Sequence, residues 1–304
     1  MRRSDRLRRV VVTGGSGRVG RYVLAELRQA FDVVNADLVY PSSEDGARFQ
    51  RTDVMALDEV RAALSGADAV VHLAALDYDW GARPEEYVRV NYVGSWHVLQ
   101  AAVELGVKRV VLCSSVSATG LTEMRSDWPP QSLPIDERHD CRPVHAYGLS
   151  KQTVELAALS VARGSAVDVI CVRPVAVVME ETFDEYLQFI DAPDLRWLFY
   201  YVTAEDLARG FRLALESPAP HYGVFLFGAD DSSLDTPTLD WYRERVGPLP
   251  ELCNPRRYVE NPRASVFSNA RAREVLGWEP TTDFVALRRA WGTPTVHGAV
   301  RGEA

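Results

Sequence analysis

The sequence predicts an α/β fold, a doubly wound parallel sheet followed by a smaller C-terminal lobe. Two observations support this prediction. Through residues 1–174, short apolar and β-branched runs alternate with stretches whose apolar residues recur at helical spacing. Such alternation is typical of a parallel sheet covered by helices on both faces. Over residues 175–304 the alternation weakens and prolines become frequent, so we expect a smaller lobe there, partly interleaved with the sheet.

The individual elements follow from apolar spacing. Continuous apolar runs predict buried parallel strands, and apolar residues three and four apart predict helices. The predicted strands are Arg8–Thr13, Asp32–Ala36, Ala69–Leu73, Arg109–Cys113 and Val167–Val172. The predicted helices among them are Arg18–Ala30, Pro84–Leu105 and His145–Arg163, the last two followed by glycine, which commonly ends helices. In the lobe, helices are predicted at Thr182–Ile190, Ala204–Glu216 and Asn269–Leu276, and strands at Tyr200–Thr203 and Val224–Phe227.

The composition excludes several classes of protein. Of 304 residues, 47% are hydrophobic, which is enough to form a core. An excess of acidic residues, 42 against 34 basic ones, argues against a nucleic-acid-binding protein. No apolar run approaches the roughly 18 residues of a membrane span, and the apolar stretch after the basic N-terminus is too short for a secretion signal. The four cysteines lack metal-ligand spacing, so we expect reduced, buried thiols, no metal and a cytoplasmic protein.

A glycine-rich turn links the first predicted strand to the first helix. Gly14, Gly17 and Gly20 allow a tight bend and a close approach of the backbone to a pyrophosphate. The helix that begins at Arg18 and Val19 directs the positive end of its dipole at such an anion. This turn therefore predicts a nucleotide-binding site.

An acidic residue, Asp37, ends the second predicted strand about 20 residues after the glycines, where dinucleotide-binding folds place the acid that binds the ribose hydroxyls. A carboxylate there repels a 2′-phosphate, so the sequence favours NAD over NADP. Arg18 is the residue that would accommodate a 2′-phosphate, which keeps NADP as the less favoured alternative.

Tyr147 and Lys151 form a Y-x-x-x-K pair one helical turn apart, on one face of a predicted helix. A lysine ammonium beside a phenol favours the phenolate, which allows the tyrosine to exchange a proton near neutral pH. Only Lys108 and Lys151 are lysines among the 34 basic residues. A compact ammonium is not interchangeable with a guanidinium, so this choice of lysine favours a catalytic role over a solvated helix face.

Together with the serine-rich turn Cys113–Ala118, these residues resemble the extended branch of the short-chain dehydrogenase/reductase superfamily, the NAD-dependent epimerase/dehydratase-like proteins. The resemblance covers most of the chain. Its motifs are the TGxxGxxG loop (Thr13–Gly20), an acid-plus-apolar pair (Asp53-Val54), HxAA (His72–Ala75), VNxxGT (Val90–Ser95), the Tyr147–Lys151 pair, RP (Arg173-Pro174), YVxxxDLA (Tyr201–Ala208) and LGWxP (Leu276–Pro280).

The resemblance implies a Rossmann-type fold with a substrate-binding lobe, and a homodimer formed through the two long helices around the Tyr-Lys pair. It implies catalysis by Ser115, Tyr147 and Lys151: Tyr147 removes a hydroxyl proton, Lys151 favours its phenolate, and Ser115 orients the substrate oxygen. The implied NAD-binding residues are Gly14, Gly17, Arg18, Val19, Gly20, Asp37, Asp53, Val54, Leu73, Ala74, Ala75, Asn91, Tyr147, Lys151 and Pro174.

The stretch after Pro174 departs from the nucleotide-sugar enzymes of this branch. Those enzymes carry an asparagine that contacts the sugar diphosphate, whereas this chain continues Val175-Ala176-Val177-Val178-Met179. The segment from Met179 to Tyr201 is short and acidic, a poor environment for a phosphate group. Arg196 is the best candidate there for an anionic substrate group, and the other candidate substrate contacts are Asp77, Val116, Ser117 and His145.

Three functions therefore compete. The first is an NAD-dependent oxidoreductase acting on a secondary alcohol or ketone, with a sugar or sugar acid as the expected substrate, because the chain resembles uronate dehydrogenases in size and tail. The second is a nucleotide-sugar epimerase or dehydratase that uses tightly bound NAD. The missing asparagine and the Val116-Ser117 pair beside the serine argue against it. The third is a non-catalytic NAD-sensing protein, which the presence of Tyr147 and Lys151 disfavours.

Overall fold

Eleven strands occur in the computed structural model, which describes residues 7–41, 46–78, 81–122, 124–190, 200–218 and 220–292. They are β1 (Arg9–Thr13), β2 (Asp32–Asp37), β3 (Arg48–Arg51), β4 (Ala69–His72), β5 (Arg109–Cys113), β6 (Ser132–Leu133), β7 (Asp168–Pro174), β8 (Ala176–Val178), β9 (Tyr201–Thr203), β10 (Tyr222–Phe227) and β11 (Glu251–Leu252). Seven of them form one parallel sheet in the order β3-β2-β1-β4-β5-β7-β10. This sheet confirms the predicted α/β fold class.

The α-helices of the described residues are α1 (Arg18–Leu27), α2 (Leu57–Leu64), α3 (Pro84–Tyr87), α4 (Gly94–Glu104), α5 (Ala146–Gly164), α6 (Phe183–Ile190), α7 (Ala204–Glu216), α8 (Thr238–Arg245), α9 (Pro255–Glu260) and α10 (Phe284–Trp291). Two π-helical stretches, Val88–Val93 and Ala272–Leu276, and two short 3₁₀ turns, Val116–Thr119 and Glu180–Thr182, complete the helical structure. Within these ranges, no helix combines the length and apolar character needed to span a bilayer.

Two apolar cores lie on opposite faces of the sheet, because successive side chains of a strand point to opposite sides. On β1, Val10 and Val12 pack into the core that α1 and α7 cover. Val11 lies between them and packs into the core covered by α2, α4 and α5. Helices on both faces explain why the central strands are apolar throughout.

The C-terminal part of the chain contributes both to the sheet and to a small lobe. Strand β10 pairs with β7 and forms one edge of the central sheet. In the lobe, β8 pairs with β9, and α6 packs against α10 through Phe183, Phe284 and Trp291. The division into residues 1–174 and 175–304 stays a prediction.

The two late motifs of the sequence meet in space. The Trp278 indole is fully buried and donates to the Asp206 carbonyl at 2.8 Å. The Asp206 carboxylate, also buried, accepts hydrogen bonds from the amide and the hydroxyl of Thr281. These contacts fix the segment after Leu276 against α7, so the late motifs serve packing.

The structure corrects several sequence-based expectations. The predicted helix Pro84–Leu105 contains the π-helical stretch Val88–Val93 between α3 and α4. Strand β3 was not predicted because its residues, Arg-Phe-Gln-Arg, are mostly polar, as an edge strand allows. Helices α8 and α9 were not predicted because proline is common there. Pro237, however, is the N-cap residue of α8, and Pro255 is the first residue of α9, a position where proline is favoured.

All four cysteines are free thiols. Cys171 is buried, as expected, whereas Cys113 and Cys141 are half-buried. The expectation of a buried thiol is wrong for Cys253, which follows the edge strand β11 and is exposed.

Candidate active site

A cavity of about 410 Å³ lies at the carboxyl ends of β1, β4, β5 and β7. Open α/β sheets bind ligands at this edge, next to the point where the strand order reverses. Here the reversal falls between β1 and β4. The cavity is bounded on one side by the glycine turn and on the other by the lobe.

Most of the predicted site residues line this cavity. They are Gly14, Gly17, Arg18, Val19, Gly20, Leu73, Ala75, Asp77, Ser115, Val116, Ser117, His145, Tyr147, Lys151 and Pro174. Asp37, Asp53, Val54, Ala74 and Asn91 are not among its lining residues. Arg196 lies outside the described residues.

The glycine turn requires glycine for steric reasons. Gly14 has φ of +76°, and a Cβ there would stand 2.5 Å from the Ala74 amide nitrogen. A Cβ on Gly20 would collide with the carbonyl oxygens of Gly14 and Gly15. Gly17 is the N-cap residue of α1, provides no side-chain hydrogen bond to the helix, and lines the cavity. The turn therefore exposes the amides at the start of α1, a geometry suited to a phosphate.

Asp37 is fixed beside the glycine turn. Its Oδ2 accepts a hydrogen bond from the Ser16 amide at 2.9 Å, and its Oδ1 accepts one from the Val39 amide at 3.2 Å. The Ser16 hydroxyl donates to the Val39 carbonyl and accepts from the buried Asn35 side chain. The acid predicted to bind a ribose is thus held in place by the turn that is predicted to bind the phosphates.

Asp53 and Val54 lie in the turn after β3. Asp53 accepts a hydrogen bond from the Met55 amide, and the buried Val54 packs against Gly94 at the start of α4. A Cβ on Gly94 would come within 2.9 Å of Val54. The pair thus joins the edge of the sheet to α4, outside the cavity.

Ser115, Tyr147 and Lys151 meet at the end of β5. Ser115 Oγ accepts a hydrogen bond from the Ser117 amide at 3.1 Å, which caps the 3₁₀ turn. Tyr147 lies in the first turn of α5, and Lys151 follows one turn later with its Nζ 5.6 Å from the tyrosine ring centroid. Lys151 Nζ donates to the Cys113 carbonyl at 2.9 Å. The ammonium thus binds the last residue of β5, two residues before Ser115.

Asn91, in the π-helical stretch, contacts α5, the helix that contains Tyr147 and Lys151. Its amide group accepts from the Leu76 amide at 2.7 Å and donates to the Leu76 carbonyl at 3.0 Å. It also donates to the Ser150 hydroxyl, which in turn donates to the Tyr147 carbonyl. This chain of contacts joins the loop after β4 to the first turn of α5, and π-helical turns are frequent at functional sites.

His72 is a buried structural residue. It lies between the hydroxyls of Thr13, at 2.6 Å, and Ser95, at 2.9 Å. Ser95 donates its proton to the Asn91 carbonyl, so His72 Nε2–H donates to Ser95 and Nδ1 accepts from Thr13. Burial, with the positive charge of Lys151, lowers the pKa of His72 to about 3, so the ring stays neutral.

A buried ion pair between Glu155 and Arg173 connects the elements that carry the site residues. Glu155 and Arg173 form two hydrogen bonds of 2.7 and 2.6 Å, and both side chains are almost fully buried. Ser114 donates to the same carboxylate at 2.5 Å. Burial lowers the pKa of Arg173, but the hydrogen bonds and charge of Glu155 outweigh it, so the pKa is raised. The pair joins α5 to the ends of β5 and β7.

Sequence reasoning did not identify this pair. Glu155 follows Lys151 by four residues, on the helical face that carries Tyr147. That spacing, together with the arginine of the RP motif, was the available signal.

The lobe side of the cavity was also missed. Its additional lining residues include Met179, Thr182, Glu185, Tyr186, Phe189 and Tyr200. Tyr78 lies on the opposite wall, with its ring centroid 5.0 Å from His145 and 5.9 Å from Tyr147. His145 caps α5 by accepting the Gly148 amide, so its main observed role is structural.

Three polar contacts link α1 to the segments that face it across the cavity. Arg18 at the start of α1 lies 3.4 Å from the carboxylate of Asp77, in the loop after β4. Farther along α1, Arg21 and Tyr22 contact the Glu181 carboxylate of the lobe. These contacts connect α1 to the loop after β4 and to the lobe.

Residues 10–188 match the NAD dependent epimerase/dehydratase family. UDP-glucose 4-epimerase of Streptomyces lividans is 28% identical to this chain, over 94% of this chain and 96% of the relative. A short-chain dehydrogenase/reductase superfamily protein from Agrobacterium tumefaciens, solved with bound NAD, has a TM-score of 0.70 at 24% identity and covers 93% of this chain and 95% of its own. A mutated uronate dehydrogenase has a TM-score of 0.67 at 22% identity, and the match covers 94% of this chain and 86% of the uronate dehydrogenase chain.

The family match extends from β1 to the lobe. It includes the glycine turn, the Ser115 turn, the Tyr147–Lys151 pair and the Arg173-Pro174 motif. More than half of the chain is thus matched, and the protein belongs to the NAD-dependent epimerase/dehydratase family.

Proposed function

We propose that this protein is an NAD-dependent oxidoreductase that transfers hydride between NAD and a secondary alcohol or ketone. The observation that carries the proposal is that Ser115, Tyr147 and Lys151 share one cavity with the glycine turn. A hydroxyl and a phenol on one wall are able to contact the same substrate oxygen, while the turn at the other end suits a dinucleotide.

The residues around the glycine turn fit NAD. Gly17, Arg18 and Val19 present the amides of the first turn of α1 to the cavity, where a pyrophosphate would lie. Pro174 lines the cavity at the end of β7, on the side of the predicted nicotinamide. NAD, when bound, supplies the acceptor for a hydride.

Tyr147 acts as the general acid/base in this proposal. It accepts the proton of the substrate hydroxyl during oxidation and returns it during reduction. Lys151, one turn away, stabilises the negative charge on the phenol oxygen, and its contact with Cys113 holds the ammonium in place. Ser115 Oγ lines the same cavity and orients the substrate oxygen.

Asp37 supports NAD in preference to NADP. Its carboxylate is anchored by the Ser16 and Val39 amides at the end of β2. A fixed negative charge there disfavours the 2′-phosphate of NADP. The exposed guanidinium of Arg18 is already paired with Asp77, which weakens the case for a phosphate partner.

A redox-neutral epimerase is the second candidate. It is favoured by the UDP-glucose 4-epimerase relative, which aligns over nearly its whole length. The names of the relatives, a UDP-glucose 4-epimerase and a uronate dehydrogenase, support a sugar or sugar acid as the first substrates to test.

We also propose a homodimer formed through α4 and α5. Both helices expose large apolar side chains, Trp96 and Val103 on α4, and Leu149 and Leu156 on α5. Exposed apolar residues on adjacent helices favour association. A cytoplasmic location remains a proposal based on the sequence alone.

The test measures NADH formation from NAD or NADP with panels of free sugars, sugar acids, simple secondary alcohols and nucleotide sugars. Net NADH from an alcohol supports the oxidoreductase. Conversion of a nucleotide sugar without net NADH would establish the epimerase instead.

Tyr147→Phe tests the assigned role of the phenol. We expect kcat to fall by about a hundred- to ten-thousand-fold, the usual contribution of general acid–base catalysis, with NAD affinity kept. Tyr92→Phe is the matched control, because Tyr92 is a half-buried tyrosine that does not line the cavity. Equal activity of the two variants would exclude Tyr147 as the acid/base.

A further inference from the structure

The walls of the cavity beyond Ser115 and Tyr147 differ in chemistry from what a sugar acid or a sugar phosphate requires. Resting on the proposed oxidoreductase function, we propose that the substrate is an uncharged secondary alcohol with a largely apolar body. Three features of the described lining residues lead to this class.

The first feature is the position of the positive charges. Among the lining residues that the structure describes, the cations are Arg18 and Lys151. Arg18 lies at the start of α1 and pairs with Asp77, and Lys151 donates to the Cys113 carbonyl. Arg18 therefore lies beside the glycine turn, and the Lys151 ammonium is held beside Tyr147 by the backbone, so neither is a residue of the lobe. The described lobe side offers no counter-charge to a carboxylate or phosphate on the substrate, and burying an unpaired anion is costly.

The second feature is a negative charge on the lobe side. Glu185, in α6, is exposed and lines the cavity. A carboxylate at the substrate end repels an anionic substrate, and like charges across an interface disfavour the wrong partner. The Glu185 carboxylate thus disfavours anions, and none of the lobe residues that the structure describes along the cavity is cationic.

The third feature is the use of the aromatic hydroxyls. Tyr186 and Tyr200 line the cavity with their rings. The Tyr186 hydroxyl is hydrogen-bonded to Ser233 at 2.9 Å, and the Tyr200 hydroxyl donates to the Thr122 carbonyl at 2.8 Å. Because these polar ends bind the protein, the rings remain as apolar wall for a ligand.

The segment after Pro174 extends this apolar wall. Val175, Ala176, Val177 and Met179 line the cavity in succession. Pairing of β8 with β9, Ala176 opposite Tyr201 and Val177 opposite Val202, fixes this segment in the lobe. A mostly apolar wall with a few polar groups at one end orients a ligand by those groups. Here the reacting hydroxyl would be oriented by Ser115 and Tyr147, and the rest of the substrate would contact apolar surface.

Matched pairs of alcohols that differ only in charge test this class. Two such pairs are hydroxycyclohexanecarboxylate with its methyl ester, and mandelate with its methyl ester. We expect the wild-type protein with NAD to favour each ester by about ten-fold or more in kcat/KM, which corresponds to about 1.4 kcal/mol. Equal or greater efficiency with the acids would overturn the proposal.

A charge reversal on the lobe provides the second arm. Glu185→Arg should shift the preference toward the acids by about ten-fold, because an attractive charge replaces a repulsive one near the substrate. Glu180→Arg is the matched control, since Glu180 is an exposed acid of the same segment that does not line the cavity. The same shift in both variants would show a general charge effect and would overturn the assigned role of the lobe wall.

The design separates failure of this inference from failure of the oxidoreductase proposal. Net NADH with the acids preferred overturns the inference and leaves the oxidoreductase intact. For a pair that yields no NADH, calorimetric titration of the NADH-loaded protein with the ester and with the acid gives the ratio of their dissociation constants. This ratio tests the same preference. Tighter binding of the ester supports the inference, and equal or tighter binding of the acid overturns it. A substrate converted without net NADH overturns the oxidoreductase proposal alone.

Discussion

The cavity has a cofactor half, next to the glycine turn Gly14–Gly20, and a lobe half, lined by residues such as Met179, Tyr186 and Tyr200. These two halves differ in what determines their shape. The cofactor half is shaped by close backbone contacts of the glycine turn, those of Gly20 with Gly14 and Gly15 and those of Gly14 with Ala74 after β4. The lobe half is shaped by side chains brought together over long distances, such as Tyr200 against Thr122 and Tyr186 against Ser233. The shape of the cofactor half therefore depends on glycine at two positions, and that of the lobe half depends on which side chains the tertiary fold brings together.

The buried hydrogen bonds of Glu155 connect the two halves of the cavity. Glu155 accepts hydrogen bonds from Arg173, on the strand that leads into the lobe, and from Ser114, which directly follows β5 and precedes Ser115. Lys151, one turn earlier on α5, contacts the carbonyl of Cys113 on that same strand. The face of α5 below Tyr147 is therefore the common support of both halves.

The largest expected effect comes from breaking this support. Glu155→Ala leaves Arg173 buried without its partner, which typically costs about 3–5 kcal/mol of unfolding free energy. Urea unfolding measures this loss. Glu104→Ala is the matched control, because Glu104 on α4 also binds an arginine, Arg61, through both carboxylate oxygens but at the surface. We expect only a small change there, and similar losses in both variants would contradict a special role for burial.

The next effect concerns the cofactor half alone. Gly20→Ala forces a Cβ into the Gly14 and Gly15 carbonyls, and such overpacking costs about 3 kcal/mol, or a hundred-fold in NAD affinity if the turn opens. NAD titration by tryptophan fluorescence measures it, with thermal unfolding as a check on folding. Gly164→Ala, at the end of α5 with no atom within 4 Å of its would-be Cβ, should leave affinity unchanged. Unaltered NAD binding by Gly20→Ala would place the dinucleotide elsewhere.

A smaller effect is expected in the lobe half. Phe189 lines the cavity and is 52% exposed, so Phe189→Ala removes about 1 kcal/mol of apolar contact with substrate. The KM for the alcohol should rise about five-fold, while the affinity for NAD stays the same. Val259→Ala, which removes an exposed apolar side chain on α9, serves as the control. Loss of NAD affinity in Phe189→Ala would show that the two halves are not separable.

The same contrast explains what the sequence was able to predict. The fold class follows from strands such as β1 and β4. Because helices cover both faces of these strands, their sequences are runs of apolar residues, mostly valine. The residues that line the cofactor half were predicted because their chemistry depends on local spacing, as in Gly14–Gly20. Asp37 was predicted as a ribose contact, and the structure holds it beside the turn but outside the lining of the cavity.

The remaining features depend on tertiary packing. Glu155 and Arg173 are 18 positions apart and meet only because α5 packs on the sheet beside β7. The lobe wall combines Met179, Tyr186 and Tyr200, and no local pattern distinguishes such residues from ordinary core side chains. Strand β3 is polar because it pairs on one side only, so its apolar signal is weak.

The smallest expected effect concerns the amino ends of β7 and β10, at the end of the sheet opposite the cavity. There His221 Nδ1 lies 2.8 Å from the Asp168 carboxylate, and Nε2 lies 2.6 Å from the Ala162 carbonyl. Both nitrogens face acceptors, so the protonated ring donates twice. The hydrogen bond to Asp168, followed by that to Ala162, raises the pKa of His221 above its usual value near 6.5.

A raised pKa in the folded state means that protonation stabilises the fold. The contribution is fully present below the unfolded pKa near 6.5 and is lost as pH rises through the folded pKa. Because the pair is exposed, we expect at most about 1 kcal/mol, measured as a fall in unfolding free energy above neutral pH that His221→Gln abolishes. The pH profile of kcat should be the same in both proteins, since this pair lies at the edge of the sheet away from the cavity. A shift of that profile in His221→Gln would show that the two edges of the sheet are coupled.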